Sequence, residues 1–381
     1  MANSLPTTRE MISGLISTPS VSCAQPELDM SNRGVIDLLA GWSEGLGFDV
    51  EIQEIDDRKT NMIARAGSGS DGLVLSGHTD TVPCNPDLWN SDPFSATEAD
   101  DRIYGLGSCD MKSFIALALN AGSQFDFKKL KRPLTLVATA DEESTMSGAK
   151  LIANNGRKLG RFCVIGEPTG LSPVRKHKGT LTMAVDYTGQ SGHASDPSLG
   201  NNALDGMHEC MPRLFHYRDQ IQQQFIDPAF KIPTPTMNLG HIHGGDNSNR
   251  ICGDCQLLID IRYLPQMTFE QLHADIKQMA ADVAGERGLQ VETRILGDGL
   301  PPMDTSEASE IAQVLTHLTG KPASSVAFGT EAPYFNSMNT ETIVIGPGSI
   351  NQAHQPNEFL PIDQIDPTIE MLRQLIHRFC Q

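Results

Sequence analysis

Five residues have the types and settings needed to hold metal ions: His78, Asp110, Glu143, Glu167 and His354. Imidazole nitrogen mixed with carboxylate oxygen is a donor set that suits Zn²⁺, with Co²⁺ or Mn²⁺ as substitutes. Four of the five follow short apolar runs that read as strands. Leu73-Val74-Leu75-Ser76 leads into Gly77-His78-Thr79-Asp80, and Leu134 to Thr139 leads into Asp141-Glu142-Glu143. Phe162 to Ile165 leads into Gly166-Glu167-Pro168, and Thr342 to Ile345 leads through Gly346-Pro347-Gly348 to His354. Open α/β sheets place ligand sites beyond the carboxyl ends of their strands, so these side chains are expected to converge. Asp110 ends the run Gly105-Leu106-Gly107-Ser108-Cys109-Asp110, where a glycine-rich loop meets a helix. Taken alone, it fits a helix N-cap as well as a metal ligand.

Two metal ions need a bridging carboxylate, a role assigned to Asp110. His78 and Glu167 then complete one site, and Glu143 and His354 the other. Three carboxylates and a shared hydroxide balance the charge of two zinc ions. Asp80, two residues beyond His78, is expected on the same side of an extended chain, placed to accept the second imidazole N–H. Glu142 and Glu143 are adjacent and should diverge, one binding metal while the other moves a proton. Glu142 is therefore the expected general base toward a water shared by the metals. A storage or structural metal site needs no such base, which favours an enzyme over a non-catalytic metal-binding protein. Cys252-Gly253-Asp254-Cys255 has the spacing of a redox or zinc pair. No second pair follows it, and residues three apart on an alternating strand face opposite sides, so structural cysteines are expected.

The elements that must position these residues follow from periodicity. Leu5 to Ile16, Met30 to Leu46 and Met111 to Asn120 read as helices. Asp49 to Ile55, Asn61 to Ala66, Leu73 to Ser76, Leu134 to Thr139 and Phe162 to Ile165 read as strands. Such alternation implies an α/β sheet that is largely parallel and flanked by helices. Around Gly179 the texture changes. Thr180 to Tyr187 and Ile251 to Arg262 alternate, Asn202 to Phe225 and Phe269 to Ala284 are helical, and Gln290 to Ile295 closes a β-α-β-β-α-β order. From Ser306 the α/β texture returns, with a helix to Leu318, a strand Glu341 to Ile345 and a helix Asp366 to Cys380. The expected organisation is a catalytic α/β domain at 1–178 and 296–381, interrupted by a smaller ferredoxin-like α+β domain at 179–295.

The 381 residues carry 29 Lys and Arg against 47 Asp and Glu, a formal charge of -18. That balance argues against nucleic acid or an anionic membrane as partner. No apolar stretch approaches the roughly 20 residues of a membrane span. The opening residues lack a signal-peptide pattern, and the eight cysteines are scattered rather than arranged as a secreted disulfide framework. A cytoplasmic location is expected.

Ser76-Gly77-His78-Thr79-Asp80-Thr81-Val82-Pro83, Gly105 to Lys112, Asp141-Glu142-Glu143, Gly166-Glu167-Pro168-Thr169 and Gln352-Ala353-His354-Gln355-Pro356-Asn357-Glu358 together resemble the di-zinc peptidase and deacylase family. The resemblance covers nearly the whole chain. Phe328 to Tyr334 and Gly346 to Pro356 look most like the branch that deacetylates N-acetylornithine. The resemblance implies two Zn²⁺ per subunit and a small N-acyl amino acid substrate, N2-acetyl-L-ornithine, cleaved to L-ornithine and acetate. It also implies a homodimer built through the inserted domain, whose His193 donates to the oxyanion, typically in the partner subunit's site. Lys178, Asn249, Arg262 and Thr330 stand where relatives anchor substrate, and Glu331 is a candidate for the distal ammonium. Desuccinylation of succinyl-diaminopimelate, aminoacylase action and dipeptidase or carboxypeptidase activity share the same metal residues and remain open.

Overall fold

The computed structural model describes residues 5–381. Two compact units divide them. The first contains the described residues up to Arg175 with Thr305–Ser324 and Thr330–Gln381; the second contains Lys176–Asp304 and Ser325–Gly329.

In the first unit the strands lie side by side in the order Asp49–Glu54, Thr60–Ala66, Leu134–Thr139, Leu73–His78, Phe162–Ile165 and Glu341–Val344. The last four form the parallel heart of the sheet, with Leu73 opposite both Leu134 and Phe162, and Glu341 also opposite Phe162. The first two strands pair antiparallel at one edge. Leu134–Thr139 and Leu73–His78 are buried at every residue, as expected of strands covered on both faces. One covering helix, Lys112–Ser123, has ten buried residues and no polar face to present to water. Its Lys112 is fully buried, and the ammonium donates to the carbonyls of Leu15 and Thr18 at 3.0 and 2.9 Å. Thr8–Ile16, which begins with a complete capping box at Thr7 and Glu10, and the C-terminal helix Ile365–Cys380 share the same core.

Parallel strands connected this way bring their carboxyl ends to one edge of the sheet, and that edge carries the site. At Gly346 the packing is too close for a side chain: a Cβ would lie 2.1 Å from the Gly166 carbonyl oxygen. The turns entering Glu167 and leading to His354 are thereby held in contact.

The second unit has a four-stranded antiparallel sheet in the order Thr236–Gly244, Asp254–Tyr263, Gly179–Thr188, Gln290–Ile295. Helices Ala203–Gln224 and Phe269–Arg287 complete the β-α-β-β-α-β order. Its bounds run wider than the expected 179–295, taking in Lys176–Lys178, the stretch to Asp304 and Ser325–Gly329. Thr236–Gly244 had no assigned range in sequence, because it is mostly exposed and carries a bulge between Leu239 and His241 that interrupts alternation. The strand expected from Ile251 begins at Asp254. Cys255 faces the core, Cys252 precedes the strand, and both thiols are unpaired.

Three short strands, Thr97–Ala99, Arg102–Tyr104 and Phe359–Pro361, form a small separate sheet. At two or three residues a strand shows no readable period, so periodicity missed them. Among the described residues no helix is long and apolar enough to cross a membrane.

Candidate metal centre

His78 closes its strand with an imidazole that is 1% exposed. Its Nε2 lies 3.1 Å from Asp110 Oδ1 and 4.0 Å from Glu167 Oε1. On the opposite side of Asp110, Oδ2 lies 3.6 Å from His354 Nε2, which stands 3.0 Å from Glu143 Oε2. Asp110 thus presents one oxygen to each imidazole, the arrangement of a bridging carboxylate. It is not a helix cap: the following helix starts at Lys112, and the Asp110 side chain turns away toward the histidines. Donor atoms of His78, Asp110 and Glu143 all lie within 4.8 Å of one another. His354 is half exposed and holds a left-handed backbone at φ 59°, a conformation that non-glycine residues adopt mainly where function or packing demands it.

Asp80 departs from expectation. The nearest partner of His78 Nδ1 is the Asp80 carbonyl oxygen at 3.0 Å, with the carboxylate Oδ1 at 3.8 Å. The strand ends at His78, so the same-side rule for alternate residues does not extend to Asp80. Its Oδ2 instead accepts the Glu143 amide N–H at 3.0 Å, and its Oδ1 has no hydrogen-bond partner among the described residues.

Burial pushes Glu142 and Glu167 well above the usual carboxylate range, and neighbouring carboxylates add to the rise. Glu143 shifts up for the same first reason, against the His354 hydrogen bond. Burial also opposes charge on His78, but its hydrogen bond to Asp110 and the charges of Glu167 and Glu142 outweigh it and raise the imidazole. Burial would raise Asp110 too, yet the hydrogen bond and charge of His78 bring it below normal. Four carboxylates and two imidazoles therefore share a small volume that leaves negative charge uncompensated. Divalent cations fit such a donor set. No hydrogen bond from the described residues holds the Glu142 carboxylate, which leaves it free to meet a water.

The remaining expected residues fall into three places. His193 and Asn249 are neighbours in the second unit, where the Ala194 N–H donates to the Asn249 carbonyl at 2.9 Å. The His193 side chain is exposed, with Nδ1 2.7 Å from Ser195 Oγ. Lys178 and Arg262 line a single cavity of about 460 Å³ in that unit, with Phe230, Ile232, Phe328 and Lys231. Lys178 is nearly buried there; its ammonium donates to the Thr234 carbonyl at 2.6 Å and lies 5.7 Å from the Phe230 ring centroid. Thr330 and Glu331, in the first unit, are fully enclosed. The Thr330 hydroxyl accepts the Ala332 N–H at 3.2 Å and Glu331 accepts from the Thr139 hydroxyl at 2.9 Å. Both contacts are internal to the first unit.

A profile of peptidase family M20/M25/M40 matches residues 74–378. The chain belongs to that family. It is 44% identical, over the full length of both chains, to acetylornithine deacetylases of Edwardsiella ictaluri (strain 93-146) and Klebsiella pneumoniae (strain 342). Among solved structures it resembles aminopeptidase PepT of Bacillus cereus, with TM-score 0.76 at 18% identity over all of both chains. A dinuclear metal-binding M20 peptidase of Bacillus subtilis gives TM-score 0.68 at 13% identity, with 97% of each chain covered. At those identities the likeness concerns the fold alone. As an M20 family member the chain is a hydrolase, and the carboxylate–imidazole cluster is its candidate metal centre.

Two residues at this centre had no assigned role in sequence. Asp141 accepts hydroxyl hydrogen bonds from Ser22, Ser144, Thr145 and Ser147, tying down the loop that presents Glu142 and Glu143. Glu358 is buried against the loop of Asp110. Glu358 reaches partners about 250 residues away, which leave no local pattern, whereas Ser144, Thr145 and Ser147 follow Asp141 closely and were a local signal for its role.

Proposed function

We propose that the chain hydrolyses the amide bond of N2-acetyl-L-ornithine, releasing L-ornithine and acetate. Asp110 facing both imidazoles, with Glu142 unengaged beside them, is the observation that carries this reading. Full-length similarity to two acetylornithine deacetylases supports the substrate.

In this reading His78, Asp110 and Glu167 would hold one divalent cation, and Asp110, Glu143 and His354 a second, with zinc the ion best matched to the donors. Such cations, when bound, lower the pKa of an attached water from about 15.7 to about 7 and polarise the acyl carbonyl. Glu142 takes a proton from the attacking water and delivers it to the departing amine. Burial among other carboxylates raises its proton affinity, the direction that suits a group passing a proton near neutral pH. Asp80 accepts the Glu143 amide N–H and Asp141 braces the same loop, so Glu142 projects from a held backbone. The same reading assigns Lys178, Asn249 and Arg262 to the substrate, and His193, acting across a homodimer built through the second unit, to the oxyanion. Eight unpaired cysteines accord with a reducing, cytoplasmic setting.

One observation favours a second reading. The cavity lined by Lys178, Lys231 and Arg262 is cationic and suits an additional carboxylate, as on a succinyl group. A panel of acetyl-, succinyl- and formyl-amino acids, assayed with zinc and with cobalt, separates the two. N-acetylornithine should give the highest kcat/KM. A far higher value for N-succinyl-diaminopimelate would replace the deacetylase reading with a desuccinylase.

A further inference from the structure

We propose that Glu358 is a positioning residue that clasps the Asp110 loop to the turn carrying His354, and so sets the spacing of the two cation sites. The inference rests on the metal-centre reading above.

The loop from Gly105 to Asp110 turns several backbone N–H groups inward. Gly107 has φ 81°, a left-handed conformation that helps to turn consecutive amides the same way. Buried N–H groups need acceptors, and converging amides form a concavity suited to an anion. Here the anion is a side chain of the protein itself. Glu358 Oε1 accepts from Cys109 N at 2.7 Å and Asp110 N at 2.9 Å, and Oε2 accepts from Gly107 N at 3.1 Å. A fourth bond runs between the backbones, from Gly105 N to the Glu358 carbonyl at 3.1 Å. The carboxylate is 1% exposed, so these bonds are not shared with bulk water.

The same residue is bound to the other ligand through the chain. Glu358 follows His354 by four residues and immediately precedes Phe359–Pro361, which pairs with Arg102–Tyr104 just ahead of the Asp110 loop. The loop and the turn therefore leave one small sheet together and are fastened again by Glu358. Contact on the far side is just as close: a Cβ on Gly348 would lie 2.3 Å from Cys109 Sγ. The half-exposed His354 imidazole meets Glu143 at 3.0 Å, and Glu358 fastens the backbone that follows it to the Asp110 loop. Among the described residues, the side-chain hydrogen bonds of Glu358 all run to backbone amides. It acts through the Asp110 amide, which it holds directly.

Glu358→Gln keeps the size and one acceptor oxygen but turns an amide group toward the Gly107 N–H. Partners behind metal ligands typically contribute about 10- to 100-fold in metal affinity or activity. The test is equilibrium dialysis of purified wild type and Glu358→Gln against Co²⁺, with the visible spectrum of each loaded form and separate kcat and KM. The variant should bind one of its two cations about 10- to 100-fold more weakly, show an altered Co²⁺ spectrum, and lose kcat with KM changed less than about threefold. Wild-type affinity, stoichiometry and spectrum in Glu358→Gln would overturn the proposal, even if thermal stability fell, because Glu358 would then only hold the fold together. Glu358→Ala leaves three buried amides unpaired and can fail to fold, so Glu358→Gln decides. If the wild-type protein itself binds no divalent cation, it is the metal-centre reading that fails.

Discussion

The Asp80 carboxylate accepts the Glu143 amide N–H at 3.0 Å, joining the end of one central strand to the loop at the end of its neighbour. Asp80 thereby serves both halves of the candidate metal centre. Its carbonyl fixes the His78 tautomer by accepting the Nδ1–H, leaving Nε2 to face Asp110. Its carboxylate fixes the backbone that projects Glu142 and Glu143.

Replacing Asp80 should therefore harm more than the orientation of one imidazole. For Asp80→Ala, divalent-cation affinity and kcat should each fall about 10- to 100-fold, as for other partners of metal ligands. Asp80→Asn can either accept the Glu143 amide through its oxygen or turn its amide group there, so it should lie between the two. Metal content after dialysis and steady-state kinetics measure both effects. An Asp80→Ala protein with full metal content and normal kcat would show that the backbone carbonyl alone is sufficient.

Glu142 is the residue whose loss should separate chemistry from binding. It is absent from the proposed ligand set, so Glu142→Ala should retain both cations. General acid–base catalysis is worth about 10²- to 10⁴-fold, and kcat should fall by that order with KM little changed. Near-normal turnover in a fully metallated variant would remove Glu142 from the base role.

Removing the cations should invert the ordinary pH dependence of stability. Burial holds Glu331 at about 7 in the metal-free fold. An exposed glutamate titrates at about 4.3. Between about pH 5 and about pH 7 the folded state thus keeps protons that the unfolded chain has released, and stability falls as pH rises. His78 has the same sign, because its raised proton affinity stabilises the fold at low pH and is lost as pH rises through its folded value. Asp110 and Asp141, both lowered, act oppositely, but their contribution is lost only at more acid pH. Melting temperature of the chelated protein should decline from pH 5 to pH 7, and zinc should recover most of the loss at pH 7. A chelated protein that grows more stable across that window would contradict the charge crowding described here.

The parallel heart of the sheet was legible in the chain because Leu73–Ser76, Leu134–Thr139 and Phe162–Ile165 are short, mostly apolar runs without a polar face, the pattern of strands covered on both faces. Four ligand candidates were legible for the same reason, each standing just past such a run. The Asp110 reading could not be settled locally, since an aspartate before a helix serves equally as a cap. The folded chain turns its two carboxylate oxygens toward histidines 32 residues before it and 244 residues after it in sequence. Thr330 and Glu331 show the converse. The family resemblance placed Thr330 near substrate, and Glu331 was a candidate for the ammonium; packing against Ala332 and Thr139 encloses both. Residue type and strand periodicity are local properties, and they determined which groups could do the chemistry. Which oxygen meets which imidazole, and that Glu358 anchors a loop some 250 residues away, depends on contacts between distant segments, and only tertiary structure decides those.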